Sequence, residues 1–219
     1  PYSIFSVSGG VAIAKSGTSC NWVDYDLAYD ITTGEEMWIH EKADAIQTFF
    51  SIAGEGVVAS FDLTERRWTG YDIKTGTKLW ESDQNEYPWG TYIGYASIIA
   101  YGKLYSGSHD GYLHAFDIEN GKEVWKFYSG DAGTETVMGT WAMWDGLIVA
   151  DGVVFVVVEI RGSTNNPKAV SKFFAVDAET GAGIWNISGY MSLRAIADGY
   201  LLGYNGYDSQ IYCFGKGQT

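Results

Sequence analysis

The sequence has little positive charge and no long apolar run, and both shortages exclude classes of function. Only 14 Lys and Arg stand against 27 Asp and Glu, so the formal net charge is −13. Because such a charge repels phosphate groups, the sequence predicts no binding to nucleic acid or to anionic lipid surfaces. No run of 18 apolar residues occurs, so it also predicts no transmembrane segment.

Cysteine is scarce as well. The two cysteines present, Cys20 and Cys213, lie near the two ends of the chain. Two thiols are compatible with one disulfide outside the cell or with two buried thiols inside it, and the sequence leaves both open. The chain starts at Pro1 with no initiator methionine or signal peptide in view, so we expect a mature, processed or truncated product.

Glycine and aromatic residues are abundant, whereas proline is rare. The chain has 28 glycines, 16% aromatic residues and only 3 prolines. Glycine accepts the backbone angles of tight turns, and aromatic residues favour half-buried strands. This composition is typical of an all-β protein with many short strands, and 46% hydrophobic residues suffice for a sizeable core.

One short pattern occurs four times: Asp, two variable residues, Thr or Asn, Gly, three variable residues and Trp. The copies contain Asp30, Gly34 and Trp38; Asp72, Gly76 and Trp80; Asp117, Gly121 and Trp125; and Asp177, Gly181 and Trp185. The tryptophans follow one another at intervals of 42, 45 and 60 residues. A period in the low forties with strand-like flanks is typical of a β-propeller blade. Residues shared by every copy usually build the scaffold, so we expect function in residues that the copies do not share.

The repeat predicts an all-β propeller of four-stranded antiparallel blades, four with the pattern and one incomplete. The predicted blades are about 1–42, 43–86, 87–131, 132–190 and 191–219. In the fifth, Phe214 and Gly215 replace the Phe-Asp pair that opens the third copy, and no tryptophan follows. Three explanations are open: the chain is part of a larger ring, which we favour; five units close a ring, joined by Cys20 and Cys213; or two copies close one ring.

The pattern resembles the tryptophan-docking motif of the PQQ-like, quinoprotein-type propellers. Its third and fourth copies, 116–125 and 176–185, match that motif best, and the likeness extends over the whole chain. In that family the tryptophan of one blade packs on the neighbouring blade. The resemblance therefore implies that the four pattern tryptophans are structural, and that replacing one by alanine costs about 3–5 kcal/mol.

The resemblance leaves two kinds of activity to separate. Some members of the family are dehydrogenases that hold pyrroloquinoline quinone and Ca²⁺, whereas others are scaffolds without a cofactor. The dehydrogenases carry a disulfide between adjacent cysteines over the quinone, but Cys20 and Cys213 are far apart. No carboxylate cluster matches the calcium site either. The departures favour a non-catalytic protein with no cofactor and no metal, and a dehydrogenase fragment that binds the quinone and Ca²⁺ is the alternative.

Loops that the copies do not share supply the other candidate residues. Trp89, Trp141 and Trp144 lie in such loops and are candidates for contact with a ligand or partner, with packing between blades as the alternative. The segment His109-Asp110 is predicted to be a turn, and the histidine spacing predicts no metal site. Asn186-Ile187-Ser188 is the only glycosylation sequon in the sequence.

These observations together predict an extracytoplasmic, non-catalytic propeller that serves as a protein-binding or cell-surface scaffold. Its acidic surface, its sequon and the habit of the resembling family all favour the cell surface. We expect a protein partner or a cell-surface assembly, and either a homo-oligomer or continuation in a longer chain. Besides the dehydrogenase fragment, a carbohydrate-binding propeller is an alternative, because exposed aromatic residues can stack on sugars.

Overall fold

The structure is a computed structural model of the whole chain. It describes residues 2–16, 24–42, 50–87, 92–134, 139–143, 146–158, 172–189, 191–206 and 208–215. Within these ranges the regular secondary structure consists of nineteen β-strands, which confirms the predicted all-β class.

The strands form five sheets in chain order, each built from strands that are consecutive in the sequence. The first contains β1 (Tyr2–Ser8), β2 (Val11–Ser16), β3 (Asp24–Asp30) and β4 (Glu36–Lys42). The second contains β5 (Phe50–Gly54), β6 (Val57–Asp62), β7 (Arg67–Asp72) and β8 (Lys78–Glu81), and the third β9 (Tyr92–Ala100), β10 (Lys103–Ser108), β11 (Tyr112–Asp117) and β12 (Glu123–Tyr128). The fourth contains β13 (Leu147–Ala150), β14 (Val153–Val158), β15 (Lys172–Asp177) and β16 (Gly183–Ser188), and the fifth β17 (Met191–Ala197), β18 (Tyr200–Asn205) and β19 (Gln210–Gly215).

Four sheets of four strands and one sheet of three confirm the predicted four blades and one incomplete blade. In the described residues, each sheet of four carries one copy of the repeated pattern between its third and fourth strands. The pattern is thus the connection to an edge strand. β14 consists of five valines and one phenylalanine. Such a continuous apolar run is expected for an inner strand, and β14 lies between β13 and β15.

The first hairpin of each sheet turns through two residues that both have positive φ. In the second sheet these are Glu55 (φ 48°) and Gly56 (φ 86°), and in the fourth Asp151 (φ 51°) and Gly152 (φ 72°). Positive φ at both central residues is the type I′ geometry, whose twist matches that of the flanking strands. The second of the two residues is glycine in all five sheets, at Gly10, Gly56, Gly102, Gly152 and Gly199.

Contacts divide the chain into two compact units. The first consists of Pro1–Glu86, Ile98–Leu104 and Phe116–Val124, and its buried cluster contains Val11, Ile13, Ala28, Trp38, Val58 and Ile73. The second consists of Tyr87–Ser97, Tyr105–Ala115 and Trp125–Thr219, and a buried cluster within it contains Val157, Phe173 and Leu201. In both units a buried cluster joins residues from neighbouring sheets.

Candidate functional site

The aspartate of each pattern holds a tight turn, which we call the docking turn. The Asp72 carboxylate accepts hydrogen bonds from the backbone N–H groups of Thr75 at 2.7 Å and Lys74 at 3.0 Å. The N–H of Gly76 donates to the Asp72 carbonyl at 2.9 Å, which closes the turn. These donors favour the ionised carboxylate, so the Thr75 N–H above all lowers the pKa of Asp72 below its usual value.

In the first, second and fourth sheets a β-bulge follows the docking turn and sets the direction of the tryptophan. In the second sheet Trp80 pairs with Gly70, whereas Lys78 pairs with Tyr71, so Leu79 is the extra residue. A bulge changes the direction in which the side chains of a strand point. The same shift occurs in the first and fourth sheets, where Met37 and Ile184 are the extra residues. The residue before the tryptophan is exposed in all four copies, at Met37, Leu79, Val124 and Ile184.

In the first unit, two tryptophans are covered by the docking turn of the next copy. The Trp38 indole N–H donates to the carbonyl of Ile73 at 2.9 Å. The Trp80 indole N–H donates to the carbonyl of Ile118 at 2.5 Å, and 6% of Trp80 remains exposed. The acceptor in both cases is the residue that follows the pattern aspartate, so the two contacts have one geometry.

Trp125 makes the same contact within the second unit. Its indole N–H donates to the carbonyl of Ala178 at 3.3 Å, and the hydroxyl of Tyr105 donates to the same carbonyl at 3.0 Å. The ring centroids of Trp125 and Tyr105 are 5.6 Å apart. Ala178 again follows a pattern aspartate, so three tryptophans contact equivalent carbonyl groups.

The docking-turn glycine is required for two independent reasons. At Gly121 φ is +73°, a conformation that costs about 1–2 kcal/mol for residues with a Cβ. A Cβ added there would also lie 2.5 Å from the Trp80 ring. The corresponding distances are 2.9 Å at Gly76 from Trp38 and 2.6 Å at Gly181 from Trp125. The tryptophan therefore lies directly against the glycine backbone.

Trp185 departs from this arrangement because it is 39% exposed. Its ring packs on Phe173 and Phe155, with centroids 5.1 and 6.1 Å away, inside its own sheet. Beside it is a cavity of about 350 Å³, here named the docking cavity, lined among others by Phe155, Ile184, Trp185, Ile196, Leu201 and Phe214. Trp185 is therefore a pattern tryptophan whose ring faces an apolar cavity.

The first docking turn, residues 30–34, has no tryptophan packed against it among the described residues. Asp30 accepts hydrogen bonds from the N–H groups of Thr32 at 2.8 Å and Thr33 at 2.9 Å, so the turn is formed like the others. Its Ile31 is nevertheless 55% exposed, whereas the equivalent Ile73 is 2% exposed. Apart from Gly34 and its two chain neighbours, no described residue has an atom within 4 Å of where a Cβ on Gly34 would lie.

Of the three loop tryptophans, Trp141 alone lies in the described residues, and it has the packed position that the sequence analysis named as the alternative to partner contact. Trp141 is buried, its indole N–H donates to the carbonyl of Asp131 at 3.0 Å, and the Lys172 ammonium lies 4.6 Å from its ring centroid. These are the contacts of a packed side chain, so its geometry gives no support to a role in ligand contact. Trp89 and Trp144 lie outside the described residues.

Two modification sites predicted from the sequence lie on edge strands. Asn186 is exposed on β16. Cys213 is an exposed thiol on β19, and Cys20 lies outside the described residues. Glycosylation of Asn186 and a Cys20–Cys213 disulfide both stay predictions.

A buried acid–base pair was not predicted from the sequence. His114 Nε2 lies 2.9 Å from the Asp110 carboxylate, and both side chains are buried. The other Asp110 oxygen accepts the N–H of Tyr112 at 2.8 Å. Asp208 makes the same two contacts, with the Gln210 N–H at 3.0 Å and the Tyr212 hydroxyl at 2.5 Å. Because two hairpins share this arrangement, we interpret it as a hairpin lock, and an Asp followed four residues later by a donor is its sequence signal.

Asp26 is a buried carboxylate at a position where other copies are apolar. It precedes the pattern aspartate by four residues, and the equivalent residues Trp68, Leu113 and Phe173 are fully buried. The Ser51 hydroxyl donates to Asp26 at 2.8 Å. Aligning the copies on their pattern aspartates would have found this difference before the structure.

The described residues do not fit a calcium site of the quinoprotein kind. Among them, no three His, Cys, Asp or Glu side chains come together in a way that holds a metal ion. Calcium requires six to eight oxygen ligands, several of them carboxylates. We therefore derive no step through Ca²⁺ or pyrroloquinoline quinone for this part of the chain.

Sheets of four antiparallel strands, joined by tryptophans docked on the next turn, define a β-propeller of tryptophan-docked blades. The class predicted from the sequence is thereby confirmed. The family model described as outer membrane protein assembly factor BamB matches residues 6–216, and the chain belongs to this family of PQQ-like repeat propellers.

Individual relatives are of two kinds. The chain is 27% identical over 197 residues to the quinoprotein ethanol dehydrogenase of Pseudomonas aeruginosa, which covers 86% of this chain and 29% of that enzyme. Among solved structures, a europium-containing methanol dehydrogenase aligns with 94% of this chain and 49% of its own at a TM-score of 0.62 and 14% identity. BamB from Moraxella catarrhalis aligns with 96% and 76% at a TM-score of 0.54 and 15% identity. The chain spans less than a third of the length of the curated relatives it matches.

Proposed function

We propose that this chain is a protein-binding scaffold outside the cytoplasm, and that the docking cavity beside Trp185 is its binding surface. The observation that carries the proposal is the exposure of Trp185. Three equivalent tryptophans of the same chain each bind a docking turn, whereas Trp185 faces a cavity of about 350 Å³. That volume is within the range of ligand pockets in proteins.

The chemistry of the docking cavity suits a protein partner. Tryptophan in a largely apolar recess is enriched at the energetic centres of interfaces, because it buries a large ring and still offers one N–H donor. Phe155, Leu201 and Phe214 supply the apolar wall around it. A peptide turn meets both requirements, because its side chain fills the recess and its carbonyl accepts the N–H.

The comparisons support this proposal at the level of the family. Its model carries the description of an assembly factor for outer membrane proteins, which supports both a protein partner and a place outside the cytoplasm. In the described residues, no helix has the length and apolar character needed to cross a membrane. The acidic composition supports a partner that is not a nucleic acid.

A fragment of a quinone-dependent dehydrogenase is the second candidate, and the relative from Pseudomonas aeruginosa favours it because 86% of this chain aligns with that enzyme. Purified protein would be mixed with pyrroloquinoline quinone, Ca²⁺ and ethanol, with reduction of an artificial electron acceptor as the readout. We expect neither quinone binding nor acceptor reduction. Saturable quinone binding with turnover would instead establish the dehydrogenase.

Site-specific photocrosslinking tests the scaffold function directly. A photoreactive amino acid would replace Ile184, which is 52% exposed and lines the docking cavity. Leu79 provides the matched control, because it is 48% exposed and holds the same position before a tryptophan that is covered. Cross-linking would be carried out in whole cells of the source organism.

We expect one discrete protein adduct from position 184 and none from position 79. Adding Trp185→Ala should abolish the adduct while the protein stays folded, with a smaller fall in melting temperature than Trp80→Ala causes. Equal cross-linking at the two positions, or an adduct that survives Trp185→Ala, would remove the docking cavity as the binding surface.

A further inference from the structure

The chain carries both halves of one kind of contact, a docking turn in the first unit and a docking tryptophan in the second. Trp185 is a docking tryptophan facing a cavity, and residues 30–34 are a docking turn whose outer face is exposed. We propose that the docking cavity of one copy binds the first docking turn of a second copy. This inference rests on the proposed function, because it names the partner of the same surface.

The first docking turn is built like the turns that are bound. Its Ile31 N–H donates to the Gly10 carbonyl at 3.1 Å, as the Ile73 N–H donates to the Gly56 carbonyl at 2.9 Å. Gly34 has φ +75°, close to the +69° of Gly76. The turn therefore already has the bound conformation, so little ordering entropy opposes its association.

Its exposed face carries the groups that a docking tryptophan needs. Ile31 stands where Ile73 and Ile118 accept the indole N–H through their carbonyl groups. The space over Gly34 is open among the described residues, whereas Gly76 and Gly121 have tryptophan rings there. An indole ring can therefore approach Gly34 as closely as it approaches the other two.

The next repeat along this chain does not supply such a turn in its sequence. Counted by the repeat, Gly215 stands in the place of the pattern aspartate and Thr219 in the place of the pattern glycine. Every bound turn has glycine at that place, where even a Cβ would come within 2.9 Å of the ring. A turn with the complete pattern is offered by residues 30–34 of another copy.

The polarity of the contact determines the kind of assembly. A tryptophan on one copy and a turn on the other make a head-to-tail interface, because the two surfaces differ. Such interfaces give closed rings or open chains. Each copy carries a formal charge of −13, so electrostatic repulsion between copies opposes association. Added salt screens this repulsion and should therefore strengthen the association.

Complementation between two variants tests this inference. Trp185→Ala removes the tryptophan and keeps the turn, whereas Ile31→Asp places a charge on the turn and keeps the tryptophan. Sedimentation velocity of the full chain over a concentration series gives the mass of each sample. We expect wild type to form head-to-tail oligomers, and each variant alone to associate at least tenfold more weakly.

The decisive sample is the equimolar mixture of the two variants. It should form a 1:1 heterodimer and stop there, because the mixture contains one intact tryptophan surface and one intact turn per pair. Leu79→Asp is the matched control for an added surface charge and should leave wild-type association unchanged. Trp185→Phe keeps an aromatic ring in the cavity, and association should fall because the indole N–H is lost.

Two results would overturn the inference: wild-type protein that stays monomeric as salt and concentration rise, or a mixture of variants that forms no heterodimer. Circular dichroism of each variant shows that loss of association is not loss of folding. If position 184 still cross-links to a different protein, the scaffold function survives and only the second copy is rejected. If neither heterodimer nor adduct forms, both proposals fail together.

Discussion

Trp80 and Trp185 occupy the same position of the same repeat, yet one is covered and the other is not. Within the first unit, Trp80 is 6% exposed and its N–H donates to Ile118. Within the second unit, Trp185 is 39% exposed beside a cavity. The pattern thus identifies the tryptophan, whereas its burial depends on the turn that another repeat presents to it.

The largest expected difference between the two regions is in stability. Trp80→Ala removes a buried ring together with its hydrogen bond, and we expect a loss of about 3–5 kcal/mol in the free energy of unfolding. Trp185→Ala should cost less, about 2 kcal/mol, because 39% of that residue stays exposed in the folded protein. Urea denaturation of both variants measures the two values.

Both variants carry the same chemical change, so each serves as the control for the other. Equal losses of stability would contradict this difference, because they would mean that Trp185 is buried to the same extent as Trp80 in solution.

The turn glycines allow a second comparison, between a docking turn that has a tryptophan against it and one that has none. Gly34 and Gly121 share nearly the same φ, +75° and +73°, so alanine at either costs about 1–2 kcal/mol in backbone conformation. At Gly121 the new Cβ also meets the Trp80 ring, which adds about 1–3 kcal/mol of overpacking. Thermal unfolding of Gly34→Ala and Gly121→Ala separates the two contributions. A larger shift for Gly34→Ala than for Gly121→Ala would contradict the structure.

The smallest expected effect concerns pH. The pKa of Asp72 is lower in the folded protein than its ordinary value of 3.8, which we take for the unfolded chain. The ionised carboxylate therefore stabilises the fold at pH values above 3.8. This stabilisation is lost as the pH falls through the lowered pKa of the folded protein. Between pH 5 and pH 3, wild type should therefore lose about 0.5 kcal/mol more than Asp72→Asn, since the group is largely solvent-exposed. Urea titrations at the two pH values give the difference.

Asp30 tests whether the turn lock depends on the covering tryptophan. Its pKa is lowered by the Thr33 N–H in the same way, although no described residue covers its turn. Asp30→Asn should therefore change the acid-side slope in the same direction as Asp72→Asn. A slope that responds only to Asp72→Asn would mean that docking helps to form the turn.

The local part of this molecule was predictable and the long-range part was not. Each docking turn and its tryptophan lie within nine residues, so spacing alone predicted the repeat, the sheets and the incomplete fifth blade. The hydrogen bond that covers Trp38 spans 35 residues, and that of Trp125 spans 53. Nothing in the pattern around Trp185 shows whether an acceptor is present at such a distance.

Trp141 illustrates the same limit. Its place in an unshared loop left partner contact and packing both open, and the group that lies over its ring, the Lys172 ammonium, is 31 residues away in the sequence. The Asp110–His114 pair was missed for a different reason. The two residues are only four apart, but a turn signal at His109-Asp110 describes the backbone and does not indicate which side chain the carboxylate binds.

The distribution of docking groups has a consequence for how such chains change in length during evolution. Each full repeat carries a turn of the kind that binds a tryptophan and, four residues after the glycine, a tryptophan of the kind that binds a turn. A duplicated repeat therefore brings both its turn and its tryptophan, and a deletion of one whole repeat leaves its neighbours with the groups that bind each other. Unequal recombination can therefore alter the number of blades without creating a new kind of interface.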